Sequence, residues 1–108
     1  MIGAFLREGE TAINVTATQG QDVGLSCPGE ATNANIRWWK ETESGDTDRI
    51  VFHGHVTSDY TGRMSFDNVT GTLTIRHADL DDNGVYWCGV GFDEHEIHLI
   101  VHGKFQQN

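Results

Sequence analysis

Asp82-Asn83-Gly84-Val85-Tyr86-Trp87-Cys88 is the stretch whose reading decides the fold. Asp82 to Gly84 has the composition of a tight turn, in which glycine takes backbone angles that a side chain disfavours. From Val85 the chain reads as a strand, and in a strand residues two apart share a face. Tyr86 and Cys88 therefore point one way, and Val85, Trp87 and Gly89 the other. The matching half lies upstream. Val23-Gly24-Leu25-Ser26-Cys27 alternates into a cysteine, and Ile36-Arg37-Trp38-Trp39-Lys40 follows with two indoles. Ile36 stands two before Trp38 and Arg37 two before Trp39, so Trp38 belongs on the inner face and Trp39 on the outer.

The order Cys27, Trp38, Tyr86-x-Cys88 resembles that of the immunoglobulin superfamily, and within it the variable-type (V-set) domains, over about Thr11 to Val101. The resemblance implies an all-β fold: a two-sheet antiparallel sandwich of Greek-key connection with one inter-sheet disulfide, Cys27 to Cys88. It also implies Trp38 packed on that bridge and Tyr86 as the tyrosine corner. Arg63, in Gly62-Arg63-Met64-Ser65-Phe66, matches the arginine that pairs in such domains with the turn aspartate, here Asp82.

The rest of the chain reads as short strands punctuated by turn residues roughly every ten positions, the spacing of an all-β sandwich. Strands are expected over Ile13–Ala17, Val23–Cys27, Ile36–Lys40, Arg49–His53, His55–Thr57, Arg63–Phe66, Thr72–Arg76, Val85–Val90 and Glu96–His102. Glu41 to Asp48 is expected as a polar hairpin loop, and Asp67 to Gly71 as a turn. In the family's lettering Ile36–Lys40 is C, Arg49–His53 is C′, Val85–Val90 is F and Glu96–His102 is G. Residues 1–10 read as a leader or added segment, 11–102 as the V-type domain and 103–108 as a tail.

A chain of 108 residues is long enough for one hydrophobic core. It holds two cysteines. Either they are bridged in an oxidising compartment, which places the domain outside the cell on its surface or in secretion, or they are two buried thiols in a cytosolic protein. A bridge closing so long a loop contributes about 4 kcal/mol on the chain-entropy model. Asp and Glu number 16 against 7 Lys and Arg, a net charge of −9. Nucleic acid and anionic membrane surfaces repel such a chain, and no basic run offsets the total. No stretch is apolar enough to span a bilayer, so any membrane attachment is expected through segments outside this sequence.

Trp39 and Trp87 are expected on the outer face of one sheet, where C and F are neighbours in the V-type arrangement. Two outward indoles are costly to leave in water, and interfaces are enriched in Trp. They are expected to bind a protein ligand or a second copy of the chain, flanked by Arg37, Lys40 and Glu41. Phe92 closes one end and Phe52 either joins the contact or covers a ring. Asn14-Val15-Thr16 and Asn68-Val69-Thr70 are glycosylation acceptors, both expected outside that face.

Some features depart from antigen receptors. The joining motif Phe-Gly-x-Gly-Thr is missing where Phe92-Asp93-Glu94-His95-Glu96-Ile97-His98 stands. Tyr86-Trp87-Cys88-Gly89-Val90 is more similar to the F strands of the polymeric immunoglobulin receptor and related single-V-domain leukocyte receptors, though no cysteines exist for the second bridge usual there. Catalysis finds no motif: Ser58 and Ser65 lack a nucleophile-elbow context, and no phosphate loop occurs. His53-Gly54-His55 and the pair His98 and His102 have weak metal-ligand spacing with no free cysteine to complete a site, so no metal or cofactor is expected. The reading is a non-catalytic recognition module, the ectodomain of an immune-type receptor binding through its GFCC′ face. The alternatives are a homophilic adhesion module, or a secreted lectin-like binder using His53, His55, Asp93 and Glu94.

Overall fold

The computed structural model describes residues 12–28, 36–90 and 93–103. Among these, the strands are β1 (Ile13–Thr18), β2 (Val23–Leu25), β3 (Arg37–Glu41), β4 (Thr47–Phe52), β5 (His55–Val56), β6 (Met64–Asp67), β7 (Thr72–Ile75), β8 (Gly84–Val90) and β9 (Asp93–His102). A six-stranded sheet has the order β1-β9-β8-β3-β4-β5, and a three-stranded sheet the order β2-β7-β6. β3, β4, β8 and β9 correspond to C, C′, F and G. All pairs are antiparallel except β1 with β9, which run parallel. The turn after Thr18 carries the chain to the other sheet rather than back along β9, so no hairpin imposes the antiparallel sense.

Alternation in the sequence decides what enters the core. Leu25, Leu73 and Ile75 of the small sheet and Trp38, Tyr86 and Cys88 of the large one have no exposed surface. Complete burial of each large apolar side chain stabilises by about 1.5–3 kcal/mol. Cys27, just beyond β2, is bonded to Cys88 of β8, with Cα atoms 5.8 Å apart. Trp38 stands directly opposite Cys88 in the β3–β8 ladder. Among the described residues its buried indole N–H has no acceptor, a cost of about 1–3 kcal/mol set against the packing of the largest ring in the core.

Ile50 and Val51 are both fully buried, which strict alternation forbids. Trp38 opposes Val51 while Trp39 opposes Arg49, so Ile50 is an extra residue, a bulge in β4. The bulge admits two consecutive apolar side chains to the core. It also returns Arg49 and Phe52 together to the outer face.

Several connections differ from expectation. Asp82 lies not in a simple turn but in a 3₁₀ turn, Leu80–Asp82, capped reciprocally by Asp79 and Asp82; its acidic N-terminal residues take the orphan N–H groups. β2 ends at Leu25, before Cys27. The hairpin loop expected over Glu41–Asp48 is shorter, Thr42 to Asp46, because Glu41 pairs with Thr47 and Lys40 with Asp48; it is closed by Thr42 N–H donating to the Asp46 carbonyl at 2.8 Å. His53-Gly54 is a two-residue hairpin turn with φ of 55° and 80°, the pattern of a type I′ turn. His53 and His55 are therefore not on one extended face. β9 begins at Asp93, opposite Val90, because a backbone ladder needs no apolar side chains to extend it.

Candidate functional site

Two sites organise this molecule, one holding it together and one facing outward. At the first, Asp82 is buried. Arg63 Nη2 donates to Asp82 Oδ2 at 2.6 Å and Nη1 to Oδ1 at 3.1 Å, a two-pronged pair across the loop between the sheets. Burial alone would push the Asp82 carboxyl up, but the hydrogen bond from Arg63, the Asp79 N–H and the charges of Arg63 and Lys40 outweigh it and hold it below the ordinary carboxylate range. Arg63 Nη2 also donates to the Arg76 and His77 carbonyls. Tyr86 Oη donates to the Asp82 carbonyl at 2.7 Å, the hydrogen bond of a tyrosine corner. Its hydroxyl is pushed well above the usual phenol range by burial and then by the Asp82 charge.

The second site is the outer surface of the large sheet. Trp39 and Trp87 are direct cross-strand neighbours and half-buried. Trp87 Nε1 donates to Glu41 Oε2 at 2.9 Å, and the Arg37 guanidinium lies 4.9 Å from the centroid of the Trp39 ring, a cation–π contact. Phe52 sits on β4 beneath Arg49, whose guanidinium is 4.1 Å from its ring centre. Trp39, Trp87, Arg37, Glu41 and Phe52 thus share one face.

Lys40 does not join them. It shares its side of β3 with Trp38, and its ammonium donates to the Asp81 carbonyl at 2.9 Å, 5.4 Å from the Tyr86 ring centre. Two-residue periodicity separates it from Trp39. Phe92 lies outside the described residues. Asn14 also stands elsewhere than expected. Val15 and Ala17 pack on the core, so Asn14 projects from the outer side of β1, in register with His98 of β9. It occupies the edge of the same sheet as the indoles. Asn68 lies exposed in the turn between β6 and β7, beside Val69 at 80% exposure, in a loop held by the Asp67 carboxylate accepting from the Val69 and Thr70 N–H groups.

Three members of the outer face escaped the sequence: Arg49, Glu96 and His98. Glu96 opposes Trp87, and Arg49 opposes Trp39. His98 Nε2 and Glu96 Oε2 are 2.6 Å apart. Counting by twos from Phe52 places Arg49 on the wrong side, since the bulge at Ile50 is invisible in the residues. Glu96 and His98 were recoverable, because Ile97, Leu99 and Val101 take the inner side of β9 and alternation sends their neighbours outward. Among the described residues no group of three or more His, Cys, Asp or Glu could hold a metal ion.

The immunoglobulin V-set domain model matches residues 10–102. The chain belongs to the immunoglobulin V-set family. This V-set domain is 29% identical over 96 residues to the polymeric immunoglobulin receptor of Homo sapiens, covering 81% of the chain and 13% of that protein. The receptor of Mus musculus is 30% identical over 96 residues, again covering 81% of the chain and 12% of that protein. The domain therefore spans only a small part of these relatives' lengths. Among solved structures, the first Ig domain of the mouse polymeric immunoglobulin receptor superposes with a TM-score of 0.68 at 23% identity, covering 89% of this chain and 95% of that one. The first Ig-like domain of human CD48 antigen gives 0.71 at 20% identity, covering 90% and 87%. These likenesses carry the fold. The V-set family is not a family of enzymes.

Proposed function

We propose that this V-set domain is a non-catalytic recognition module of an immune-type receptor ectodomain, which meets a protein partner through the face bearing Trp39 and Trp87. The register of the two indoles is the observation that carries the reading. Side by side on the outer surface of a sheet, they form a central aromatic patch with Glu41, Arg37, Glu96 and Arg49 around it, the anatomy of a protein contact. Kinship with the polymeric immunoglobulin receptor supports the receptor class. The Cys27–Cys88 bond supports an extracellular setting, since such bonds persist in oxidising compartments.

Sedimentation of the domain over a concentration series, beside the Trp87→Arg variant, tests the face. The expected result is association of the wild type that the variant loses while keeping its near-ultraviolet dichroism. A folded variant that associates as before places the contact elsewhere, and an unfolded one means that Trp87 faces the core.

Sugar bears on the same surface. Asn68 is exposed in a turn on the small sheet, so in a glycosylating host it is expected to carry the glycan and leave the indole face bare. Mass spectrometry should show added mass that Asn68→Gln removes. Mass retained in Asn68→Gln assigns it to Asn14, whose glycan would flank the face, and an unmodified product contradicts the expectation.

A further inference from the structure

One row of cross-strand neighbours runs over the outer face: Glu96 on β9, Trp87 on β8, Trp39 on β3 and Arg49 on β4. Adjacent strands lie about 4.8 Å apart, so the two opposite charges stand roughly 14 Å apart with both indoles between them. Arg49 is exposed and, among the described residues, joins no ion pair; it rests on the Phe52 ring. Glu96 gives Oε2 to His98, and its other oxygen takes no hydrogen bond among the described residues.

The row is its own complement in one orientation only. Two copies docked face to face about a two-fold axis parallel to the strands, through the middle of the row, lay each row on the other in reverse. Glu96 then meets Arg49 of the second copy at both ends, and each Trp87 meets Trp39 of the other. An axis running along the row instead sets Glu96 on Glu96 and Arg49 on Arg49, where like charges oppose docking. Sheets packed face to face lie about 10 Å apart with strands nearly aligned, a gap that Glu and Arg side chains reaching from both sides can close. Resting on the reading of this face as the contact surface, we infer that its occupant is a second copy of this chain, docked about an axis parallel to β3 and β8 and held in register by paired Glu96–Arg49 contacts.

Sedimentation equilibrium of the chain, wild type against Glu96→Arg, Arg49→Glu and the double exchange, tests this. Glu96→Arg should weaken self-association by about tenfold or more. It does so although the substitution raises the net charge of −9 by two and so lowers the overall repulsion between copies. The double exchange should restore wild-type association at unchanged net charge. An equimolar mixture of the two single variants should pair where each alone does not. Glu96→Arg associating as tightly as wild type, or a wild type that stays monomeric, overturns the inference. Trp87→Arg separates the two failures: if it disperses the copies and Glu96→Arg does not, the face stands and this docking falls; if neither does, the face falls too.

Discussion

Alanine at Cys27 or Cys88 is expected to lower stability by about 4 kcal/mol, within the roughly 2–5 kcal/mol typical of native bridges in small secreted domains. The bridge joins residues 61 apart in sequence, so its removal frees a long loop in the unfolded chain. Cys88 is also fully buried opposite Trp38, which adds a packing loss. A domain of this size has a total stability of only about 5–15 kcal/mol, so a large part of it goes. Denaturant melts of oxidised wild type and Cys27→Ala/Cys88→Ala measure the difference, and midpoints within about 1 kcal/mol of each other would contradict it. Thiol titration of the unfolded, non-reduced wild type should find neither sulfur free.

The pair of Arg63 and Asp82 is the second large effect, and its two halves are unequal. Side-chain exposure is 45% for Arg63 and 5% for Asp82. Asp82→Ala leaves a guanidinium that water reaches and that still has the Arg76 and His77 carbonyls. Arg63→Ala leaves a buried carboxylate with the Asp79 N–H as its remaining side-chain hydrogen bond. The expected cost is about 3 kcal/mol for Arg63→Ala and about 2 for Asp82→Ala, against little for the exposed Asp46→Ala. The sign with pH follows from the depressed carboxyl. Its contribution is complete above the ordinary unfolded value near pH 4 and is lost as pH falls through the lower folded value. In Arg63→Ala, burial without the guanidinium pushes the same carboxyl up, so acid destabilisation should set in at higher pH than in wild type. Identical acid limbs for the two proteins would contradict the pairing.

Much of this fold is legible in the residues, for definite reasons. Tyr86 and Cys88 at a spacing of two, and Trp38 behind Ile36, declare their faces because each strand is buried on one side only. The outer face is legible in β3 and β8 for the same reason, which brings Trp39 to Trp87. Legibility ends where periodicity breaks or where backbone pairing alone decides. The bulge at Ile50 hides Arg49, the type I′ turn at His53-Gly54 scatters two histidines that an extended reading aligns, and the ladder of Asp93 to His95 extends β9 through charged residues. Nearness in sequence sets Lys40 beside Trp39, whereas alternation along β3 puts it on the opposite side. Asn14 required knowing that β1 pairs with β9, a long-range choice that no local pattern announces.

The amide NMR spectrum of the domain, followed as its own concentration is raised, tests the central claim most directly. The account predicts shifts concentrated on Trp39, Trp87, Glu96 and Arg49 in β3, β8, β9 and β4, with Val23–Leu25 and Thr72–Ile75 of the small sheet unmoved. Shifts centred on the small sheet or on the Asp67–Gly71 turn, with the indole face silent, would contradict it.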